Sequence, residues 1–319
     1  MDFQTAPTIA LQTNAPGLGI VMLLISLFGS AEFYLALIPL ILWCYDRTLG
    51  LRLLLLCSIG AAVNGMLKLL FHAPRPYWVS ADVTAFASEP SFGMPSAAAQ
   101  ISVTFLGYIA AWSGKPRVRA ACIALIILVG IARIYLGVHF PEDVLTGWVF
   151  GLVLLCVFLR YEAAAAAWFL HKTVPVRIFL SLCASMGFIL VSWIVIMGLG
   201  AWQVPAGWSA LASAQTGVAI NPLTLRETLL GAGLLFGAAA GAAISTEYIP
   251  YDIDGSMSQK ALRFFTGGLV LAVLWVALSA STKSPDLFGN SMIYFRAALA
   301  GAWITAGAPL AFRKFQLVS

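Results

Sequence analysis

Nine long apolar segments dominate this sequence, and each approaches the roughly 20 residues that a helix needs to cross a membrane. Inside a bilayer the backbone finds no water to bond, so such segments form helices that satisfy their own polar groups. The sequence therefore predicts an all-α fold, a polytopic bundle of about nine transmembrane helices. The predicted spans are residues 31–45, 50–71, 97–113, 118–136, 142–161, 176–199, 225–247, 262–282 and 291–312.

The scarcity of charge supports this prediction and excludes several classes of function. Only 10% of the 319 residues are charged, whereas a soluble domain carries about 25%. The net charge of +5 comes from basic residues scattered over short loops, so we expect no nucleic-acid partner. With three histidines, and five cysteines that all lie inside apolar segments, we expect no metal site.

The distribution of Lys and Arg predicts which loops face the cytoplasm. Twelve of the 18 basic residues fall in loops on one side of the predicted membrane, and the positive-inside rule assigns that side to the cytoplasm. These are Arg47, Arg52, Lys115, Arg117, Arg119, Arg160, Lys172, Arg177, Lys260, Arg263, Arg313 and Lys314. The other side, which carries Lys68, Arg75 and Arg133, faces the periplasm, the cell exterior or an organelle lumen.

Three polar stretches, residues 68–78, 91–100 and 133–143, lie on that outer side. Ionisable groups near a membrane are costly, so they mark a functional site by default. The candidate residues are Lys68, Arg75, Ser96, Arg133, His139 and Asp143.

These residue types suit the binding and transfer of phosphate. Arginine binds phosphate oxygens through a planar fork and lysine binds them as a point charge. His139 and Asp143 are four residues apart, and a helix that begins near Pro141 would bring the carboxylate to one ring nitrogen. That contact would fix the tautomer of His139 and leave its other nitrogen free to attack phosphorus.

The spacing of these residues resembles the three-part signature of the type 2 phosphatidic acid phosphatase superfamily. Lys68 is followed after six residues by Arg75-Pro76, the second part begins with Pro95-Ser96, and Arg133 precedes His139 and Asp143. The resemblance covers about residues 30–162. The further C-terminal spans make the layout similar to sphingosine-1-phosphate phosphatases and glucose-6-phosphatases.

This resemblance implies a role for each residue and a metal-free, cofactor-free reaction. His139 would be the nucleophile that forms a phosphohistidine, with Asp143 as its orienting partner. Lys68, Arg75, Ser96 and Arg133 would bind the phosphoryl group. The chain then divides into an N-terminal surface helix or half-span (1–30), a phosphatase-like transmembrane core (31–162) and C-terminal helices that act as a scaffold or as the wall of a lipid cleft (163–319).

The second motif departs from the family pattern, which is Pro-Ser-Gly-His. This chain has Ala98 where the family has a histidine that protonates the leaving group, and such an acid contributes about 10²–10⁴-fold to the rate. Three explanations are open. Ala98 is an engineered His-to-Ala replacement, which the otherwise intact motifs favour. Alternatively, the enzyme uses a good leaving group such as phosphate, or a proton from His72 or Glu142. The third explanation is a chain that binds lipid phosphate without catalysis.

A membrane lipid phosphate or an isoprenyl diphosphate is the expected substrate. The site is predicted at the membrane edge, and the loops beside it are rich in aromatic residues and poor in polar ones, which is typical of an interfacial belt. These aromatic residues are Trp78, Phe86, Phe92, Trp202 and Trp208. The alternative is a non-catalytic lipid-phosphate binder or transporter. We expect a bacterial inner-membrane protein with its site facing the periplasm or exterior, and the sequence predicts nothing about its oligomeric state.

Overall fold

The computed structural model describes residues 4–249, 251–279 and 286–318, and these form α-helices joined by short loops. A 3₁₀ turn at Pro16–Leu18 precedes the second helix, and a π-helical turn at Trp303–Gly307 joins the last two. The helices are α1 (Ala6–Asn14), α2 (Gly19–Leu27), α3 (Ala31–Cys44), α4 (Arg47–Phe71), α5 (Pro76–Val79), α6 (Ala97–Ser113), α7 (Pro116–Tyr135), α8 (Pro141–Leu170), α9 (Val174–Gly198), α10 (Ala206–Thr216), α11 (Arg226–Tyr248), α12 (Met257–Ala277), α13 (Leu287–Ala302) and α14 (Ala308–Lys314).

The prediction of an all-α, polytopic membrane protein is confirmed. Each predicted span coincides with a helix, although Lys283 and the last residues of the 262–282 span lie outside the described residues. Within the described chain, seven helical segments are long and apolar enough to cross a membrane. Helices α3 and α6 are apolar but have only 14 and 17 residues. At 1.5 Å per residue they reach roughly 21 and 26 Å, less than the hydrocarbon thickness of about 30 Å.

The N-terminal segment is bent rather than straight. Helices α1 and α2 meet at an angle of 91°, as in a broken span or a re-entrant loop. Residues of α1 bond to the loops and helix ends around them: the Gln12 amide donates to the carbonyl oxygens of Thr84 and Tyr135, both at 2.8 Å. The Tyr135 hydroxyl in turn donates to the carbonyl of Ala15 at 2.7 Å. These bonds tie the N-terminal segment to the end of α7.

The chain divides into two units. The first comprises residues 1–33, 64–157 and 192–224. Its central helix is α7, against which α1, α2 and α6 pack. Local signals define the helix starts: the Ser96 hydroxyl caps α6, and Pro116 and Pro141 open α7 and α8, where the missing N–H of proline costs no hydrogen bond. All six candidate residues lie in this unit.

The second unit comprises residues 34–63, 158–191 and 225–319, and small residues control its packing. Helices α11 and α13 pack closely because α11 carries glycines on the contacting face. A Cβ on Gly237 would overlap the backbone of Ala298, so only glycine allows this approach. The buried Trp43 indole donates to the carbonyl of Ile304 at 2.8 Å, beside the π-helical turn.

In the first unit, Gly147 allows α8 to lie against the start of α6. A Cβ at this position would lie 2.7 Å from the carbonyl oxygen of Ser96 and 3.0 Å from the Ala99 side chain. Both distances are below a normal carbon contact, so the glycine brings the second and third polar stretches together.

Gly147→Ala should therefore separate α8 from α6 and lower stability by about 1–3 kcal/mol, as overpacking does. The midpoint of thermal unfolding in detergent measures this effect. Gly187→Ala in α9 is the matched control, because a Cβ there meets nothing within 4 Å and alanine favours helix over glycine. Equal melting midpoints for the two variants would contradict the role assigned to Gly147.

Candidate active site

The guanidinium of Arg75 lies at the centre of the candidate site and is fully buried. Its Nε donates to the carbonyl of Ser91 at 2.6 Å, and its Nη2 donates to the carbonyl of Phe92 at 2.9 Å. Its Nη1 donates to the carbonyl of Val138 at 2.9 Å. Arg75 belongs to the first polar stretch. Its bonds therefore hold the loop before α6 and the turn before α8 against that stretch.

Lys68 approaches the same place from the last turn of α4. Its ammonium donates to the Ser91 hydroxyl at 2.8 Å, and Arg75 Nη2 donates to that hydroxyl at 3.2 Å. One turn earlier, the Asn64 amide donates to Gln100 Oε1 at 2.8 Å. This buried amide pair fastens α6, and with it the second polar stretch, to α4.

The turn between α7 and α8 places Arg133 and His139. Gly137 has a φ of +74°, and a Cβ there would lie 2.6 Å from the Thr84 carbonyl oxygen, so the turn requires glycine. Asp143 then reaches back from the first turn of α8, and its Oδ2 accepts the backbone N–H of Phe140 at 2.9 Å. This is one half of a capping box, and it fixes the backbone beside His139.

The contacts of His139 define its tautomer. Its Nε2 lies 3.2 Å from Arg75 Nη1, and because a guanidinium only donates, Nε2 must carry the lone pair. The proton is then on Nδ1, which faces Asp143 Oδ2 at 3.4 Å. This separation is long for a hydrogen bond, as catalytic pairs often are in unliganded enzymes. This assignment puts an unprotonated ring nitrogen on the side of the cations and the Asp143 side chain behind the ring.

The surroundings of His139 keep its ring neutral. Burial, followed by the positive charges of Arg75, Arg133 and Lys68, lowers the pKa of His139 well below its usual range. A neutral imidazole retains the lone pair that a nucleophile needs.

Arg133 has one donor without a partner in the site. Its Nη1 donates to the Ser26 hydroxyl of α2 at 3.0 Å, and its Nη2 is paired with the Glu89 carboxylate. Its Nε is buried and has no hydrogen-bond partner. An unsatisfied buried donor is costly, and an anion bound beside Arg133 would remove that cost.

Ser96 and Ala98 lie at the start of α6. Ser96 is fully buried, its N–H donates to the Asp143 carbonyl at 2.8 Å, and its hydroxyl accepts the N–H of Ala99 at 3.4 Å. Ala98 is buried too, and a Cβ added to Gly29 would lie 2.6 Å from the Cβ of Ala98. The start of α6 therefore packs closely against Gly29 at position 98.

The two side chains that the sequence suggested as other proton sources lie apart from these contacts. The Glu142 side chain is exposed. The His72 ring packs edge-on against Trp202, with centroids 5.1 Å apart, and its Nδ1 lies 3.0 Å from the Leu70 carbonyl. Neither has a recorded bond to the cations or to His139.

The structure brings together all six predicted residues and adds Ser26, Ser91 and Glu89, which the sequence interpretation missed. Ser91 opens the second polar stretch but was not singled out there, and Glu89 belongs to the loop that was expected to supply only interfacial aromatic residues. That expectation was wrong for Trp78 and Phe92, which are fully buried. The available signal was that Glu89 is one of two acidic residues between the first and second motifs, the other being the exposed Asp82.

Glu89 has an unusual electrostatic position. Its Oε1 is paired with Arg133, and its Oε2 lies 3.7 Å from Arg75 Nη2. Burial by itself would raise the pKa of Glu89, but the charges of Arg133, Arg75 and Lys68 outweigh burial and hold that pKa at about 2. Glu89 is therefore an ionised carboxylate within a group of three cations.

Comparison with known proteins agrees with the motif spacing. A family model described as the PAP2 superfamily matches residues 49–167. A second model, described as PAP2 superfamily phosphatase, transmembrane extension, matches residues 229–319.

The individual relatives are phosphatases whose names indicate different substrates. The chain is 33% identical to phosphatidylglycerophosphatase B of Bacillus subtilis, over 46% of this chain and 75% of that protein. It is 26% identical to glucose-6-phosphatase catalytic subunit 1 of Felis catus, over 89% of this chain and 86% of that protein. It is 25% identical to undecaprenyl-diphosphatase BcrC of Bacillus subtilis, over 40% of this chain and 67% of that protein.

The two family models match the core and the C-terminal helices separately, and the bacterial phosphatidylglycerophosphatase aligns over three quarters of its own length, so this chain belongs to the PAP2 superfamily of phosphatases.

Proposed function

We propose that this protein is a metal-independent lipid phosphate or lipid diphosphate phosphatase that acts through a phosphohistidine. The observation that carries the proposal is the placement of His139. Its unprotonated Nε2 lies against Arg75, and Asp143 stands behind its Nδ1. Among phosphatases, this arrangement suits a nitrogen nucleophile aimed at an anion held by cations.

The proposed reaction has two displacements at phosphorus. In the first, the Nε2 lone pair forms the N–P bond while the P–O bond to the alcohol or phosphate breaks and its electron pair stays on the leaving oxygen. Asp143 stabilises the positive charge that develops on His139. In the second, water attacks phosphorus, the N–P bond breaks, and its electron pair returns to Nε2. Lys68, Arg75 and Arg133 offset the negative charge of the phosphoryl oxygens in both steps.

Two observations support a lipid substrate: the names of two relatives and the position of the site residues at the ends of apolar helices. Phosphatidylglycerophosphatase B and undecaprenyl-diphosphatase act on lipids by name. The site residues lie at the ends of α4 and α7 and the starts of α6 and α8, all apolar helices. By the distribution of Lys and Arg, these ends face outward. We place the protein in a bacterial inner membrane with its site toward the periplasm or exterior.

A soluble phosphate monoester is the second candidate substrate. The similarity to glucose-6-phosphatase extends over 89% of this chain and includes the C-terminal helices. The half-buried carboxylate of Glu89 and the buried hydroxyls of Ser91 and Ser26 also make the site more polar than its loops suggested.

A substrate panel separates these candidates and the non-catalytic alternative. Phosphate release should be measured from a phosphatidic acid, phosphatidylglycerophosphate, an isoprenyl diphosphate and glucose 6-phosphate, with the full chain in detergent or liposomes. We expect release from the lipids to exceed release from glucose 6-phosphate. Lipid movement across liposomes without any release of phosphate would instead support a transporter.

His139→Ala should abolish turnover and the incorporation of labelled phosphate into the protein, because it removes the nucleophile. Acid-labile label, trapped by rapid denaturation during turnover, measures the intermediate. Arg119→Ala at the exposed start of α7 is a control that keeps the site intact. Labelling that persisted in His139→Ala would refute the proposed nucleophile.

The proposal also concerns whether Ala98 is an engineered replacement or the natural residue. The sequence interpretation favoured an engineered His-to-Ala replacement that lacks the general acid. The close packing between Ala98 and Gly29 instead supports alanine as the natural residue at position 98.

Ala98→His distinguishes these explanations. Gly29 packs closely against Ala98, so a larger imidazole there should crowd α6 against Gly29, and we expect a lower melting midpoint and no large gain in rate. A gain of at least about tenfold on a lipid phosphate, with unchanged melting, would identify Ala98 as the replacement of a catalytic histidine.

A further inference from the structure

Glu89 occupies the place on the arginines that a phosphoryl group would take. Its two carboxylate oxygens face one donor each, on Arg133 and on Arg75. Two phosphoryl oxygens would bind the same pair of guanidinium groups. A bound phosphoryl group must therefore displace the carboxylate and remain next to it.

Different groups hold the backbone and the side chain of Glu89. The hydroxyl of the buried Tyr77 accepts the Glu89 N–H and donates to the Glu89 carbonyl, both at 2.9 Å. Among the described residues, the carboxylate pairs with the two arginines. A rotation of the side chain can therefore release the carboxylate while the bonds to Tyr77 keep the backbone in place.

The Glu89 side chain is the more exposed member of this group of residues. The side chains of His139 and Arg75 are 2% and 0% exposed, whereas that of Glu89 is 32% exposed. Attacking and leaving groups are roughly in line at phosphorus. Since His139 is buried, an in-line leaving oxygen points away from it toward the accessible part of the site, and Glu89 is the accessible carboxylate that contacts the same arginines.

We propose that Glu89 is the proton donor to the leaving oxygen and takes the role that Ala98 cannot perform. This inference rests on the proposed phosphatase function. In the reacting complex, His139 Nε2 bonds to phosphorus, the P–O bond breaks, and the leaving oxygen receives the proton of the Glu89 carboxyl group. The products of this step are a neutral alcohol, a phosphohistidine and the Glu89 carboxylate.

The proton arrives with the substrate. A phosphate monoester has its second ionisation near pH 6 (values of about 6 are typical of phosphorylated side chains), so about a tenth of it is the monoanion at pH 7, and this form brings the proton. Before substrate binds, the cations keep Glu89 ionised. Once the phosphoryl group lies on Arg133 and Arg75, its negative charge offsets theirs, and the carboxylate becomes basic enough to accept that proton.

The choice of leaving group tests this role directly. Alkyl alcohols leave poorly without a proton, whereas p-nitrophenolate needs none. Single-turnover release of alcohol from decyl phosphate and of p-nitrophenol from its phosphate isolates the first step from hydrolysis of the phosphohistidine. The variant is Glu89→Gln, which keeps the shape and removes the acid.

We expect Glu89→Gln to slow release from decyl phosphate by at least about 100-fold and release from p-nitrophenyl phosphate by less than about threefold. Asp82→Asn, an exposed carboxylate in the same loop, should leave both rates unchanged. Binding of inorganic vanadate to each variant measures whether the three cations still form an anion site.

Other outcomes overturn the inference. Equal slowing with both substrates would mean that Glu89 only positions the arginines. An unchanged or faster reaction of decyl phosphate would mean that Glu89 is a counterion that substrate displaces. Failure of the proposed function is separately visible, because wild type and His139→Ala would then release alcohol equally slowly.

A second measurement needs no substitution and applies if Glu89→Gln does not fold. Wild-type rates are compared over phosphates whose leaving groups span a range of acidity. A proton donor makes the rate depend only weakly on leaving-group acidity. A steep dependence would show that no group in this protein protonates the leaving oxygen, and it would overturn the assignment of Glu89.

Discussion

The buried guanidinium of Arg75 is the interaction on which the candidate site depends. Its bonds to Ser91, Phe92 and Val138 join segments that are 16 to 63 residues away in the chain. Removing such a charge from water is expensive unless every donor is paired. Because the pairing groups are mostly backbone carbonyls, Arg75 determines the path of the loop before α6 and the turn before α8, and so the position of His139.

Three cations close together impose a second constraint, which is the need for negative charge. Lys68, Arg75 and Arg133 are all buried, and in the unliganded protein Glu89 supplies the counter-charge. The same residues are therefore preorganised for a phosphate anion, whose binding replaces one anion by another and leaves the cations in place. Neutral His139 fits this environment, since a protonated ring would add a fourth positive charge.

The N-terminal segment and the loop between the first two motifs contribute more than their sequences suggest. Ser26 of α2 holds Arg133, and Gly29 contacts Ala98. The N-terminal segment has no periodic or charged pattern that marks these contacts, and in the loop the two acidic residues are the one signal. In a membrane protein a single buried hydroxyl or a missing Cβ has large effects, because no water is present to compensate a poor contact.

The sequence by itself determined the helical membrane fold, the spacing of the motifs and the identity of the six candidate residues. Hydrophobic segment length and the cost of charge near a bilayer are local properties, so they can be obtained from residue order alone. Only the tertiary structure decided which groups meet. The pairing of Glu89 with Arg133 joins residues 44 apart, and that of Ser26 with Arg133 joins residues 107 apart. No pattern in the sequence encodes such contacts, because they depend on how helices pack and where loops return between them.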